Sequence, residues 1–145
     1  MTYQYSDMKQ AEIEEFLRLP RFAIVGTNPV NGPPQLTPVW YLYEGGQIYI
    51  SIMVKSAKYR NLRRDPRISV CIAGNNPDAR AVIFYGTAEL TLDESAQVDE
   101  IEWRLVRRYF DSDEETQEFM DSPDYEGESA RVTVTPEKVI AQDFN

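Results

Sequence analysis

Gln35-Leu36-Thr37-Pro38-Val39-Trp40-Tyr41-Leu42-Tyr43, then Glu44-Gly45-Gly46, then Gln47-Ile48-Tyr49-Ile50-Ser51-Ile52-Met53 reads as two β arms joined by a glycine turn. Just upstream, Arg21 to Thr27 alternates or runs apolar as another strand. The segment between them, Asn28-Pro29-Val30-Asn31-Gly32-Pro33-Pro34, is dense in turn formers. Three strands in hairpin order predict an antiparallel meander.

Working outward, Ser6-Asp7 reads as a helix start, with Ile13, Phe16 and Leu17 at helical spacing until Pro20 approaches. On the other side, Ser56 to Arg64 changes to a helical period, and Asp65-Pro66 ends it because the residue before proline avoids the α region. Ile68 to Ala73 and Arg80 to Thr91 give strands four and five across an Asn75-Asn76-Pro77-Asp78 turn, with Gly86 predicting a bulge or bend in the longer one. Ser95 to Phe110 reads as a helix with Val98, Ile101, Leu105 and Val106 on one side, and Arg131 to Thr135 as a sixth strand. The expected fold is a single domain over residues 1–145, mainly β with short helices at the corners of a closed, six-stranded antiparallel barrel. So small a barrel is filled by its own side chains, so a sizeable ligand must lie outside it or against a partner subunit.

Composition narrows the chemistry. The chain has no histidine, which removes Ser-His-Asp and Cys-His hydrolysis, His-ligated zinc and proximal-His haem. Cys71 is the sole cysteine, so an internal disulfide and a multi-thiolate metal site are excluded, and no metal is expected. An enzyme of this composition would leave its reaction to an organic cofactor. The net charge of −9 is local: Asp111 to Glu128 holds nine acids and no base, while the rest balances 15 acids against 15 bases. That segment is expected to be a wet, partly mobile connection between better-ordered elements, with the chemistry to be sought elsewhere and its path helping to shape any groove. The opening residues lack the blocks of a signal peptide and no apolar run approaches the roughly 20 residues that cross a bilayer, so a cytoplasmic protein without membrane contact is expected.

Two features carry candidate chemistry. Lys55, Lys58, Arg60, Arg63, Arg64 and Arg67 crowd around one acid, Asp65, and Ser56 would cap a helix whose first turn offers free N–H groups to a phosphate. A solvated basic helix is the alternative. In Thr37-Pro38-Val39-Trp40-Tyr41, Pro38 cannot donate to a ladder, so the backbone leaves its sheet and exposes polar groups to a flat heterocycle beside the Trp40 ring. An edge proline beside a core or interface tryptophan is the alternative.

Phe22-Ala23-Ile24-Val25-Gly26-Thr27, Gly32 to Trp40 and the block Ser56-Ala57-Lys58-Tyr59-Arg60-Asn61-Leu62-Arg63-Arg64-Asp65-Pro66-Arg67 together resemble the pyridoxamine 5'-phosphate oxidase-like split-barrel superfamily, over about residues 13–92 with a weaker echo in 135–144. Within it the similarity is to the branch of probable coenzyme F-420-dependent reductases, through Pro38-Val39-Trp40, Gly45-Gly46 and the basic block. The resemblance implies a Greek-key split barrel working as a homodimer with the cofactor in the subunit groove. It implies a phosphate near Lys55, Ser56, Lys58 and Arg60, a ring along Thr37, Pro38, Val39 and Trp40, and Ser51 and Met53 flanking the same groove.

The implied activity is hydride transfer between a deazaflavin (F-420) or FMN and a small unsaturated organic substrate, with a proton from solvent, Tyr41 or Tyr59 and no mandatory catalytic side chain. Arg63 or Arg64 would meet an anionic cofactor tail at the groove mouth. The alternatives are an FMN-binding oxidase or reductase, a non-catalytic flavin-binding protein on the same fold, and a nucleic-acid-binding barrel using the basic helix.

Overall fold

Alternating burial in two of the strands fixes which way each of them faces. The computed structural model describes residues 2–92, 100–125 and 127–145. In β5 (Gln47–Met53), Ile48, Ile50 and Ile52 are buried and the intervening residues are partly exposed. In β6 (Arg67–Ala73), Ile68, Val70 and Ile72 repeat the pattern. These side chains meet Val25, Phe84, Val132 and Val139 from the neighbouring strands in one core.

Seven strands form one antiparallel path. With β2 (Ala23–Thr27), β3 (Gln35–Val39), β4 (Leu42–Glu44), β7 (Arg80–Leu92) and β8 (Ser129–Asp143), the order is β3-β2-β6-β7-β8-β5-β4. An eighth strand, β1 (Thr2–Ser6), pairs in parallel with β8. The expected six-stranded closed barrel is therefore corrected: there are more strands, and among the described residues no ladder joins β3 to β4. Both nevertheless belong to one stretch of chain, parted by Trp40 and Tyr41, so the sheet curls until its ends meet through a covalent link.

The single arm expected from Gln35 to Tyr43 breaks here for a stated reason. Tyr41 N–H donates to Tyr109 Oη at 3.1 Å and Arg108 donates to Tyr41 O, so neither backbone group is left for a ladder. The Tyr41 ring is wholly buried, and its hydroxyl donates to Leu17 O at 2.9 Å.

Other boundaries also move. The expected helix start at Ser6-Asp7 gives way to β1, and α1 runs Gln10–Arg18, with Glu12 accepting from Lys9 N–H at its amino end. Ser6 Oγ instead accepts from Met8 N–H, a local turn that competes with a helix cap. The sixth strand, read only over Arg131 to Thr135, is the 15-residue β8. Pro136 hides its second half from a sequence reading, because proline cannot donate to a ladder. The structure seats it opposite Gly86 at the register shift between Tyr85 and Gly86. A Cβ on Gly86 would lie 2.2 Å from Thr135 O, so the expected bulge requires glycine there.

Of the helix expected over Ser95 to Phe110, α3 covers Glu100–Arg107, and residues 95–99 lie outside the described ones. The acidic stretch is not the featureless connection expected. It contains α4 (Asp113–Met120), capped by Ser112 Oγ accepting from Glu115 N–H, and a 3-10 turn at Pro123–Tyr125. Leu42, Leu105, Val106 and Met120 form a second apolar cluster that fastens these helices to the sheet. No described helix is long and apolar enough to cross a membrane.

Candidate functional site

The break between β3 and β4 turns Trp40 out of the sheet, and an aromatic group assembles on it. Tyr109 stacks on its ring at 4.6 Å between centroids and 8° between planes, while Phe110 meets it edge-on at 5.9 Å. Phe119 of α4 approaches at 5.4 Å and itself touches Tyr125 at 5.3 Å. Arrangements of this kind favour the ring quadrupoles as well as burying area.

In front of this group lies a groove of about 340 Å³. One wall is sheet: Pro38, Val39 and Trp40 at the break, with Ser51 and Met53 of β5. The opposite wall is helical: Leu105 and Val106 of α3, Phe119 of α4 and Tyr125. Phe22 stands at its edge and is 60 % exposed. The groove thus has the predominantly apolar, aromatic lining of a site for a flat organic molecule.

Five of the ten residues singled out in the sequence, Pro38, Val39, Trp40, Ser51 and Met53, line this one groove; Thr37, Lys55, Ser56, Lys58 and Arg60 do not. Thr37 is on the same strand, and its Oγ1 is buried with no hydrogen-bond partner among the described residues. The other four cluster at the amino end of α2 (Ala57–Arg64), which abuts the Met53 end of the groove, since Ser56 N–H donates to Met53 O at 3.0 Å.

Ser56 caps α2 as its position predicts, accepting from Tyr59 N–H at 3.2 Å. Arg60 N–H follows the ordinary helical pattern to Ser56 O. The first two helical amides, Ala57 and Lys58, have no intrahelical acceptor by geometry and point out of the amino end, where the dipole is positive. Arg60 folds back to donate to Lys55 O at 3.0 Å, which brings its guanidinium to the same end.

The remaining bases of the block are engaged within the chain. Arg63 lies 5.8 Å over the Tyr59 ring, Arg64 donates to Asn28 O, and Arg67 pairs with Asp65 at 2.7 Å. Arg67 also holds the Asp65 carboxyl well below the usual carboxylate range. Neither Arg63 nor Arg64 lines the groove.

Tyr41, one candidate proton source, is not among the lining residues. Burial pushes its phenol up, against the opposing pull of Arg108, and its hydroxyl is committed to backbone carbonyls of the α1 end. Tyr59 is buried against the core. Burial likewise pushes the Tyr109 phenol up to about 12.

None of the residues of the helical wall is among the site residues named from the sequence. Phe119 and Tyr125 sit among the acids of the Asp111 to Glu128 stretch, where their signal is aromatic content inside a charged run.

The comparisons agree with this architecture. The pyridoxamine 5'-phosphate oxidase family matches residues 10–143. The conserved hypothetical protein Rv2991 from Mycobacterium tuberculosis is similar at a TM-score of 0.72 and 28% identity, over 97% of this chain and 88% of that one. An F420 reductase gives a TM-score of 0.68 at 19% identity, over 87% of this chain and 94% of its own. A FAD-binding protein from Mesorhizobium loti gives 0.61 at 20%, over 92% of each chain. The last two likenesses are of fold alone. With the match running from the first helix to the end of the last strand, through the broken arm and the capped basic helix, the chain belongs to the pyridoxamine 5'-phosphate oxidase-like split-barrel superfamily.

Proposed function

We propose that the protein is a cofactor-dependent oxidoreductase that transfers hydride between a deazaflavin of the F-420 type and a small unsaturated organic substrate. The observation that carries the reading is the joining of two unlike features: an apolar groove with an aromatic wall, and at its Met53 end a helix terminus with free amides and three cations. A flat ring with a phosphorylated tail needs both.

The residues present fit such a group. Pro38, Val39 and Trp40 would flank the ring, and the buried Thr37 Oγ1 offers an unused polar atom on the same strand. The Ala57 and Lys58 amides, with the Lys55, Lys58 and Arg60 side chains, would hold the phosphate. A reduced deazaflavin bound there supplies the hydride. The chain's own part is to fix distance, to exclude water with its apolar walls, and to leave the proton to solvent.

A second copy of the chain completes the reading. Register places Pro38, Ile24, Cys71, Ile83 and Ile140 side by side across five strands on the outer face of the sheet. Leu36 stands beside them at 66 % exposure and Ile24 at 38 %. A continuous apolar stripe of this kind marks an association surface. Pro38 belongs to both stripe and groove, and Phe22 at the groove edge is itself exposed, so a partner seated on the stripe would close the groove.

The test is a titration of the purified protein with F-420 and with FMN, following ring fluorescence, beside sedimentation of the same sample. Submicromolar F-420 binding by a dimer is expected, with Lys58→Ala weakening it roughly ten- to hundredfold through loss of a charge-assisted contact. Submicromolar FMN binding without any response to F-420 would replace the deazaflavin by FMN. A monomer, or a Lys58→Ala variant of unchanged affinity, would move the site elsewhere.

A further inference from the structure

The groove does not end at its apolar walls. Beyond Ser51, Leu105 and Ser129, which line both spaces, it continues into a smaller recess of about 90 Å³ that contains Glu102 and Arg131. Glu102 Oε1 accepts from Ser51 Oγ–H at 2.8 Å and from the Tyr125 hydroxyl. The two hydroxyls come from opposite walls of the groove, so the carboxylate is clamped at its inner end. Its second oxygen, Oε2, receives no hydrogen bond among the described residues.

The direction of these bonds determines what the recess can recognise. Ser51 and Tyr125 spend their protons on Oε1 and present only lone pairs to the groove, and Oε2 is an acceptor as well. Three acceptors converge where an otherwise apolar cavity becomes polar. A ligand group that covers Oε2 without offering a donor strips it of water and leaves it unmatched, which is costly. A group with an N–H satisfies it by a charge-assisted bond. A carbonyl beside that N–H withdraws electrons from it and so strengthens the bond to the carboxylate.

We propose that Glu102, positioned by Ser51 and Tyr125, is a specificity-determining residue that selects substrates with a flat, conjugated N–H group flanked by carbonyl, such as a cyclic imide or lactam. The inference deepens the oxidoreductase reading by naming a substrate class for the same groove, and rests on that reading for the word substrate. The recognition itself is independent of which flavin binds.

Phthalimide and N-methylphthalimide are suitable probes, since they share a flat ring and differ in the N–H. Their affinities are measured by titration calorimetry, in the protein alone and in protein saturated with FMN. The native chain is expected to prefer phthalimide about tenfold or more in at least one state, the range of a hydrogen bond to a charged group. In Glu102→Gln the amide oxygen can keep the two hydroxyls while its NH₂ replaces Oε2, turning acceptor into donor, so the preference should vanish. Tyr125→Phe removes one of the two clamps and should reduce it. This variant decides the matter if Glu102→Gln does not fold, an undiminished preference then overturning the proposal. Equal binding of the two imides in both states, no binding of either, or a preference that survives Glu102→Gln also overturns it. If the imide preference holds while F-420 and FMN both fail to bind, the oxidoreductase reading falls and the recess remains a recognition site.

Discussion

The two walls of the groove are built in different ways. Pro38, Val39, Ser51 and Met53 hang on strands whose backbone ladders run into the middle of the sheet, and Trp40 directly follows the first of them. Phe119 and Tyr125 instead belong to short elements with few backbone ties to the sheet, held by the aromatic contacts of Trp40, Phe110 and Tyr109. The first wall is part of the cooperative unit that folds. The second is a cover whose position depends on side-chain packing, and covers of this kind open at lower free energy than the framework beneath them.

Substitution should separate the two walls. Ile50 is 1 % exposed and packs into the core directly beneath the strand wall. Ile50→Ala should cost about 3 kcal/mol, combining lost transfer energy with a cavity that the surrounding strands cannot fill. Urea unfolding should show a lower midpoint and an unchanged slope, because the whole sheet still unfolds as one. Phe119→Ala should cost less, about 1.5 kcal/mol, since its contacts are on the cover. Its signature is regional: amides of Glu100–Arg107 and Asp113–Met120 should exchange faster while those of β5 and β8 keep their protection. Equal acceleration across the sheet would erase the distinction between framework and cover.

The same difference explains what the sequence could disclose. Strand positions follow from a period of two, but Pro38 does not take the backbone out of the sheet as expected: it stays paired opposite Ile24 on the edge strand β3, where its missing N–H is harmless. Ser56, three residues before the Tyr59 amide that it caps, was equally local. What escaped was decided at long range. That β3 and β4 end on opposite edges of one path depends on Tyr41 being drawn to Tyr109 and Arg108, 68 and 67 residues away along the chain. The acids of the stretch after Phe110 concealed α4, because a composition that reads as solvated says nothing of the few aromatic residues among the charges. Glu102 was passed over in the same way: its spacing on α3 is that of an ordinary surface residue, and only the fold sets it against Ser51 and Tyr125.

The smallest effect should come from the seam between the walls. Tyr109 stacks on Trp40, accepts from Tyr41 N–H and donates its hydroxyl proton to Arg21 O at 2.6 Å, so it links the helical cover both to the chain just before β2 and to the broken arm. Tyr109→Phe keeps the ring and removes the hydroxyl, which should cost about 1 kcal/mol at neutral pH. Its alkaline behaviour is the more telling measurement. Burial holds the folded phenol up at about 12, above its ordinary value of 10.0, so between these limits the unfolded chain loses a proton that the folded chain keeps. Stability from this group is therefore complete below pH 10 and is lost progressively as the pH rises toward 12. Tyr41, whose phenol is also raised by burial, adds to the same decline. Thermal midpoints of the native protein should fall more steeply across that window than those of Tyr109→Phe. Parallel curves would mean that the seam is open to solvent and that the cover is not fastened to the sheet through this hydroxyl.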